Sequence, residues 1–379
     1  MTNSQMILQH QVKNLYKRLL FIGREYPLGY SYFRPRLKKA FLKNRDLKNE
    51  DDIRKAIETG EYVYKDGGFA TELQRVHCKD LSSNLWSAAC LFQDPQAIRD
   101  VHLSYLRAGA DIITTCSYQA TISGFMQCGF SNDQAVSLMQ KSVTLAIEAR
   151  EQFWTEYQKQ LHQFNNMTRI KPLIALSLGS FGATLCDGSE YSGNYGLDVT
   201  TSYLKAFHRE RMQIFYPNFT DIDLIAFETI PSFQEIDAIC SVLHEEKISV
   251  PCWISFSCKN DSLNCHGETL IECIKLCCAV DSIVAIGINC TKPKYAENLV
   301  NLIRNEMDLL GAIDKFVVCY PDAGCEWDEI KRDWDSRTGL SVEGKYNFYV
   351  TEVLKRDNVN FTSLMLAGKP QIIIKFQFL

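Results

Sequence analysis

The sequence predicts an α/β protein: a (β/α)8 barrel of TIM type, its eighth strand in question, preceded by an α-helical hairpin. Three observations carry this. From about residue 66 to residue 334, short apolar runs alternate with longer amphipathic stretches, the rhythm of a parallel α/β fold. Polar residues collect where those runs end. The first 65 residues hold 14 Lys/Arg against 7 Asp/Glu, so with −4 for the whole chain the remainder carries −11. Such a contrast marks two pieces, residues 1–65 and 66–379, with different partners.

The elements follow in chain order. Leu8, Val12, Leu15 and Leu19 recur at helical spacing, widened by Tyr16 and Leu20, and the pattern stops at Gly23 and Pro27. A second stripe has Phe33, Leu37, Phe41 and Leu42 on one side, with Arg36, Lys38, Lys39 and Lys43 interleaved. A third short helix begins near Asp51 and carries Ile53 and Ile57. On pattern alone this is a basic helical hairpin with a solvated face.

Beyond it, apolar runs at residues 111–115, 173–178, 223–227, 253–256, 283–288 and 316–320 read as strands. Amphipathic stretches at 95–108, 133–153, 203–215 and 267–280 read as the helices between them. A strand before Asp66 makes seven by Tyr320, and the apolar tail Gln371–Phe376 is able to supply an eighth. Periodicity alone leaves an open doubly wound sheet nearly level with a barrel. The polar residues decide for the barrel. Asp66, Thr114, Thr115, Ser177, Glu228, Thr229, Ser255, Asn289 and Cys290 sit at strand ends, which in a barrel converge on one catalytic mouth.

Bulk composition narrows the function classes. With 379 residues, 46% hydrophobic and 23% charged, the chain reads as an ordinary globular protein. No apolar run approaches the ~20 residues of a membrane helix. The 15 cysteines are unevenly spaced with no secretory signal at the start, which points to a reducing compartment, with thiols as core residues or metal ligands. The acidic barrel argues against nucleic-acid binding. Gly179-Ser180-Phe181-Gly182 is no phosphate loop, because no Lys-Ser/Thr follows it.

Several motifs in order carry a resemblance. Asp66-Gly67-Gly68-Phe69-Ala70-Thr71-Glu72-Leu73 opens the series, followed by Arg107-Ala108-Gly109-Ala110-Asp111 and by Thr114, Thr115, Ser117, Tyr118 and Gln119. Gly179–Ala183, Asp187-Gly188-Ser189-Glu190-Tyr191, Phe227-Glu228-Thr229-Ile230-Pro231, Gly287-Ile288-Asn289-Cys290 and Tyr320-Pro321-Asp322-Ala323-Gly324, with Trp334 beyond, complete it. Together they resemble the homocysteine S-methyltransferases over residues 66–334, and within them the branch that uses S-methylmethionine or S-adenosylmethionine.

The resemblance implies methyl transfer from a sulfonium to zinc-bound homocysteine, giving methionine, in the cytoplasm. Homocysteine attacks as a thiolate, and a cation that coordinates it makes the thiolate accessible at neutral pH. Asp66 and Glu228 would hold the substrate ammonium, and the amides around Gly67 and Gly68 its carboxylate. In the family the zinc ligands are three cysteines, one where Cys290 stands and an adjacent pair after Gly-Gly at the eighth strand. On the residues alone, Cys290 equally serves as a small core residue, Asp66 caps a turn, and Glu228 pairs with a buried arginine.

The Gly-Gly-Cys-Cys segment is absent. Cys277-Cys278 is the one adjacent pair, but it lies in a helical stretch with Cys273 and reads as packing. Cys325 follows the seventh strand as a poor substitute ligand. His266-Gly267-Glu268 is unaccompanied by any Pro-Cys-x-x-Cys and carries nothing. The expectation is a weakly held zinc and impaired turnover, from a fused, alternatively spliced or mispredicted gene product.

The first segment has a resemblance of its own. Leu15-Tyr16-Lys17-Arg18, Gly23-Arg24-Glu25-Tyr26-Pro27, Tyr32-Phe33, Arg36-Leu37-Lys38 and Phe41-Leu42-Lys43-Asn44 resemble the LYR-motif family, and within it the electron transfer flavoprotein regulatory factors. The match spans residues 8–64 and stops within the third helix. It implies a mitochondrial adaptor that binds acyl carrier protein or electron transfer flavoprotein, an alternative to enzymatic function.

Overall fold

A computed structural model describes residues 8, 12, 13, 16, 17, 30–43, 45, 47, 49, 50, 53, 69–77, 85–108, 110–161, 170–322, 324, 326–328, 333–335 and 372–374. Six strands come from the six apolar runs: β1 (Ile112–Thr114), β2 (Leu173–Gly179), β3 (Leu224–Ile230), β4 (Cys252–Phe256), β5 (Ile283–Asn289) and β6 (Phe316–Tyr320). A small antiparallel pair follows, β7 (Glu326–Asp328) and β8 (Asp333–Asp335), and then β9 (Ile372–Ile374). The main sheet runs in the order β1-β2-β3-β4-β5-β6-β9. Every pairing in it is parallel. This is the curled parallel architecture expected of an incomplete barrel. The tail does add a strand beside β6, and the strand expected before Asp66 lies outside the described residues.

Helices Asn132–Leu161, Thr201–Phe215, Phe233–Glu245, Leu270–Cys278 and Pro293–Leu309 connect successive strands. Their starts are fixed locally. Thr200, Ser232 and Thr269 accept hydrogen bonds from the first-turn amides, satisfying donors that have no partner within the helix. In this way the chain leaves each strand's C-terminal end and turns back over it through a short polar loop.

The strands bury both faces, as all-parallel sheets do. Side chains alternate along a strand, and the two sets form separate cores. Ala175, Ala226, Trp253, Ala285, Val318 and Tyr320 pack together on one face. Ile174, Leu176, Ile225, Phe227, Ile254, Phe256, Ile286 and Ile288 pack into the larger core shared with the helices. The small residues of the inner face leave room for Trp253 and Tyr320. Gly287 serves a closer contact still, because a Cβ there would lie 1.6 Å from the Val318 carbonyl oxygen. Cys273 and Cys277 are fully buried in helix Leu270–Cys278, in line with their reading as packing.

The N-terminal segment has a small cluster of its own. Leu8 and Leu37 are buried, with Val12, Tyr16, Phe41 and Ile53 packed against them, so one residue or more from each expected helix meets there. Tyr16 and Phe41 make an edge-to-face pair with centroids 4.9 Å apart. Leu42, expected on the same side, is 50% exposed. Five residues beyond Leu37, it stands about 140° around the helix.

Candidate functional site

The strand ends meet at one mouth, and the polar residues there are joined side chain to side chain. Thr115 Oγ1 lies 2.7 Å from Ser117 Oγ, which donates to the Ser177 carbonyl at 2.7 Å. The Ser177 amide returns a bond to Thr115 Oγ1 at 3.0 Å. Ser177 Oγ donates to Glu228 Oε1. The Tyr320 hydroxyl donates to Glu228 Oε2 at 2.8 Å, and itself meets Trp253 Nε1 at 2.9 Å and Ser255 Oγ at 2.7 Å. Glu228 is 3% exposed. Its charge is thus buried against neutral donors, which leaves it free to attract a cation.

A lone carboxylate in a barrel is read from sequence as the partner of a buried arginine. The structure corrects that alternative. Among the described residues the buried arginine is Arg211, and it donates to the carbonyls of Gly179, Ser117 and Tyr118 at 2.7, 2.9 and 2.9 Å. It ties together the ends of β1 and β2. Burial lowers its pKa to about 10, so it remains charged at neutral pH.

Thr229 and Cys290 follow the two inward-facing ends, and both hold left-handed backbone, φ +62° and +45°. For a β-branched threonine this is a true outlier. One side chain locks it. The Asn289 Oδ1 accepts from the Thr229 amide at 2.7 Å, and Asn289 Nδ2 donates to Thr229 Oγ1 at 2.6 Å and to Cys290 Sγ at 3.3 Å. The strain interrupts the β3–β4 register between Phe227 and Ile230, and strain of this kind gathers at functional sites. Burial pushes the Cys290 thiol up to about 12, and the nearby Asp322, Glu228 and Glu190 carboxylates add to the rise.

The rim is completed by the turn Ser189–Tyr191. Burial also raises Glu190, to about 7. Behind the rim, Glu235 sits where a helix-start carboxylate ordinarily returns to its own cap. Instead it reaches the Phe181 amide at 2.6 Å, Tyr195 Oη at 2.6 Å and His208 Nε2 at 2.8 Å. Burial lowers the His208 pKa. This fixes the loop after β2.

Of the residues singled out from sequence, Glu228 and Cys290 come together at the mouth. Asp66, Gly67, Gly68 and Cys325 lie outside the described residues. Tested against a zinc ion, the donor set falls short. Among the described residues no three His, Cys, Asp or Glu side chains are grouped to hold a metal, and β9 beside β6 reads Ile372-Ile373-Ile374. A catalytic zinc takes three protein ligands and an open position, so the described residues do not fit it. Sequence reasoning missed the roles of Tyr320, Asn289 and Arg211. Arg211 left a signal that was not used, a charge at the buried helical spacing Leu204, His208, Arg211 and Phe215.

Comparison with known proteins bears on what the mouth is for. A family model for homocysteine S-methyltransferase matches residues 63–353, and one for Complex 1 protein (LYR family) matches residues 10–65. Homocysteine S-methyltransferase 2 of Zea mays is 42% identical over 307 residues, covering 81% of this chain and 86% of that protein. Homocysteine S-methyltransferase 3 of Arabidopsis thaliana is 44% identical over 287 residues, 75% of this chain and 80% of its own length. The structure is similar to the metallated form of the homocysteine methyltransferase MmuM from Escherichia coli, with a TM-score of 0.57 and 34% identity, covering 70% of this chain and 85% of that one. The chain belongs to the homocysteine S-methyltransferase family.

Proposed function

We propose, from that membership, that the barrel binds homocysteine and a sulfonium methyl donor and moves the methyl group to sulfur, giving methionine, with turnover impaired. The single observation that carries the reading is Glu228. It is buried, doubly hydrogen-bonded and set beside the strained Cys290 end of β5. Its role is to hold the homocysteine ammonium, with Asp66 as its partner and the amides around Gly67 and Gly68 on the carboxylate.

The chemistry is a displacement. The homocysteine sulfur attacks the methyl carbon, the carbon–sulfonium bond breaks, and its electron pair stays on the departing neutral sulfide. The chain's residues orient the two sulfurs and exclude water. In the family a zinc ion supplies the thiolate, but among the described residues Cys290 stands without two companions. A thiolate entering this mouth instead meets Glu190, Glu228 and Asp322, so the anionic nucleophile is disfavoured. Impairment follows from that charge balance.

The test is titration of homocysteine into the purified chain, beside Glu228→Gln and Cys290→Ser, with zinc measured by elemental analysis. We expect wild type to bind homocysteine and Glu228→Gln to bind about 10–100-fold more weakly, the range of a lost charge-assisted bond. We expect well under one zinc per chain, unchanged in Cys290→Ser. Full zinc occupancy that Cys290→Ser abolishes would sink the impairment reading. Unchanged homocysteine affinity in Glu228→Gln would sink the binding role.

One observation favours a second role for the first segment. Leu8, Val12, Tyr16, Leu37, Phe41 and Ile53 form their own apolar cluster, and this segment matches the LYR family. We infer an adaptor surface for acyl carrier protein or electron transfer flavoprotein. Co-purification of neither with residues 1–65 in place would remove that role.

A further inference from the structure

The mouth holds a second carboxylate that the homocysteine site does not use. Glu190 lies in the turn Ser189–Tyr191, and the loop around it is built by turn chemistry. Asp187 Oδ1 accepts from the Ser189 amide at 2.9 Å, and the Gly193 amide donates to the Ser189 carbonyl at 2.7 Å. Gly188 and Gly193 take positive φ, +83° and +67°. The turn is then pinned from two sides. Ser257 Oγ, just past β4, donates to the Glu190 carbonyl at 2.9 Å. Gly182 closes from the other side, where a Cβ would come within 2.6 Å of the Glu190 nitrogen. The backbone at Glu190 is therefore fixed from two sides.

Its carboxylate is left partly unsatisfied. Glu190 Oε2 is buried and has no hydrogen-bond partner, and among the described residues no Lys, Arg or His pairs with it. An unmet buried acceptor costs stability, and a buried charge without a counter-ion costs more. Glu228, in the same mouth, has a donor on each oxygen. The surroundings of Glu190 are aromatic and anionic. Both Tyr118 and Tyr191 feel burial first and then the charges of Cys290 and Glu190, which push their hydroxyls well above the usual range. Tyr118 rests against Gly179, where a Cβ would lie 2.6 Å from its ring. Tyr191 keeps 39% of its surface open at the rim.

A carboxylate oxygen buried without a partner, in a turn that carries Tyr191 at the rim, suits a cation that has no N–H donor of its own. A sulfonium is such a cation. It needs negative potential and aromatic faces in place of hydrogen bonds. We propose that Glu190, in the turn it shares with Tyr191, is the subsite that receives the positively charged sulfonium of the methyl donor. This rests on the methyl-transfer reading above. The sulfonium charge disappears as the methyl group leaves, so an interaction with that charge is strongest before reaction. Glu190 thus governs donor binding and contributes little to the rate of the bound complex.

The experiment is calorimetric titration of the full chain with S-methylmethionine, with methionine, whose sulfur is uncharged, as its counterpart, and separately with homocysteine. For Glu190→Gln we expect S-methylmethionine to bind at least about tenfold more weakly, with methionine and homocysteine within about twofold of wild type. Tyr191→Leu, a change at an open rim position, should weaken S-methylmethionine about two- to fivefold and leave methionine alone. That variant decides the matter if Glu190→Gln does not fold. Equal S-methylmethionine affinity in wild type and both variants, with homocysteine still bound, would overturn the subsite and leave the proposed function standing. A wild-type chain that binds neither homocysteine nor S-methylmethionine would overturn both.

Discussion

On the β2–β3 side of the mouth, Glu228 has a donor on each oxygen and its donors have partners in turn, from Thr115 through Ser177 to Tyr320 and Trp253. On the β5 side, Cys290 has Asn289 at 3.3 Å and three carboxylates for company. The first side is a completed hydrogen-bond network around a buried carboxylate. The second holds one thiol whose ionisation burial and its carboxylate neighbours oppose. The difference teaches that the geometry of a strand end and the chemistry it supports are separable. Both ends share the same left-handed turn and the same Asn289 clamp, while only one has a complete set of partners.

The largest effect should come from Gly287→Ala. If the β5 side were loose enough to compensate for its missing partners, an added methyl group would be absorbed. With the Val318 oxygen 1.6 Å from the new Cβ, we expect at least about 3 kcal/mol of destabilisation, read as loss of the cooperative urea transition. A folded Gly287→Ala chain would show that the β5 side yields where the β2–β3 side does not.

Asn289→Ala ranks next, because it removes the one residue the two sides share. Two bonds to Thr229 disappear and its strained backbone is released, for a cost of about 2 kcal/mol. Thermal unfolding measures it. The same variant should weaken homocysteine binding, since Glu228 neighbours Thr229. A loss confined to stability would mean that the clamp serves β5 alone.

Glu190→Gln gives the smallest effect and a definite sign. The folded protein holds the Glu190 proton up to about pH 7, against an ordinary value of 4.5. Folding therefore binds protons in that window, and stability falls as pH rises through it. Glutamine carries no such penalty. The variant should match wild type below pH 4.5 and gain about 1–2 kcal/mol above pH 8, after allowing for partial exposure. Parallel melting curves across pH 4–9 test this. A gap that does not grow with pH would mean Glu190 already has a partner.

Alternation of apolar runs with amphipathic stretches made the six central strands and their helices readable, because period 2 and period 3.6 are properties of the chain itself. Glu228 and Cys290 were legible for the same reason, as polar residues closing apolar strands. The isoleucine run at 372–374 marked a further strand on composition alone. Other features needed the fold. The Glu228 donors lie 51 and 92 residues away in the chain, and Asn289 reaches back 60 residues to Thr229. Arg211 was visible as an odd charge in a buried stripe, but its carbonyl partners on two other loops were not. Leu42 passed for a core residue because apolarity says nothing of angle once a stripe has enough members. The sequence by itself determined where the six central strands run and that their polar ends share a mouth. Only the tertiary structure decided which carboxylate is satisfied and which is left wanting a cation, because hydrogen bonding and desolvation depend on neighbours that the chain brings together from far apart.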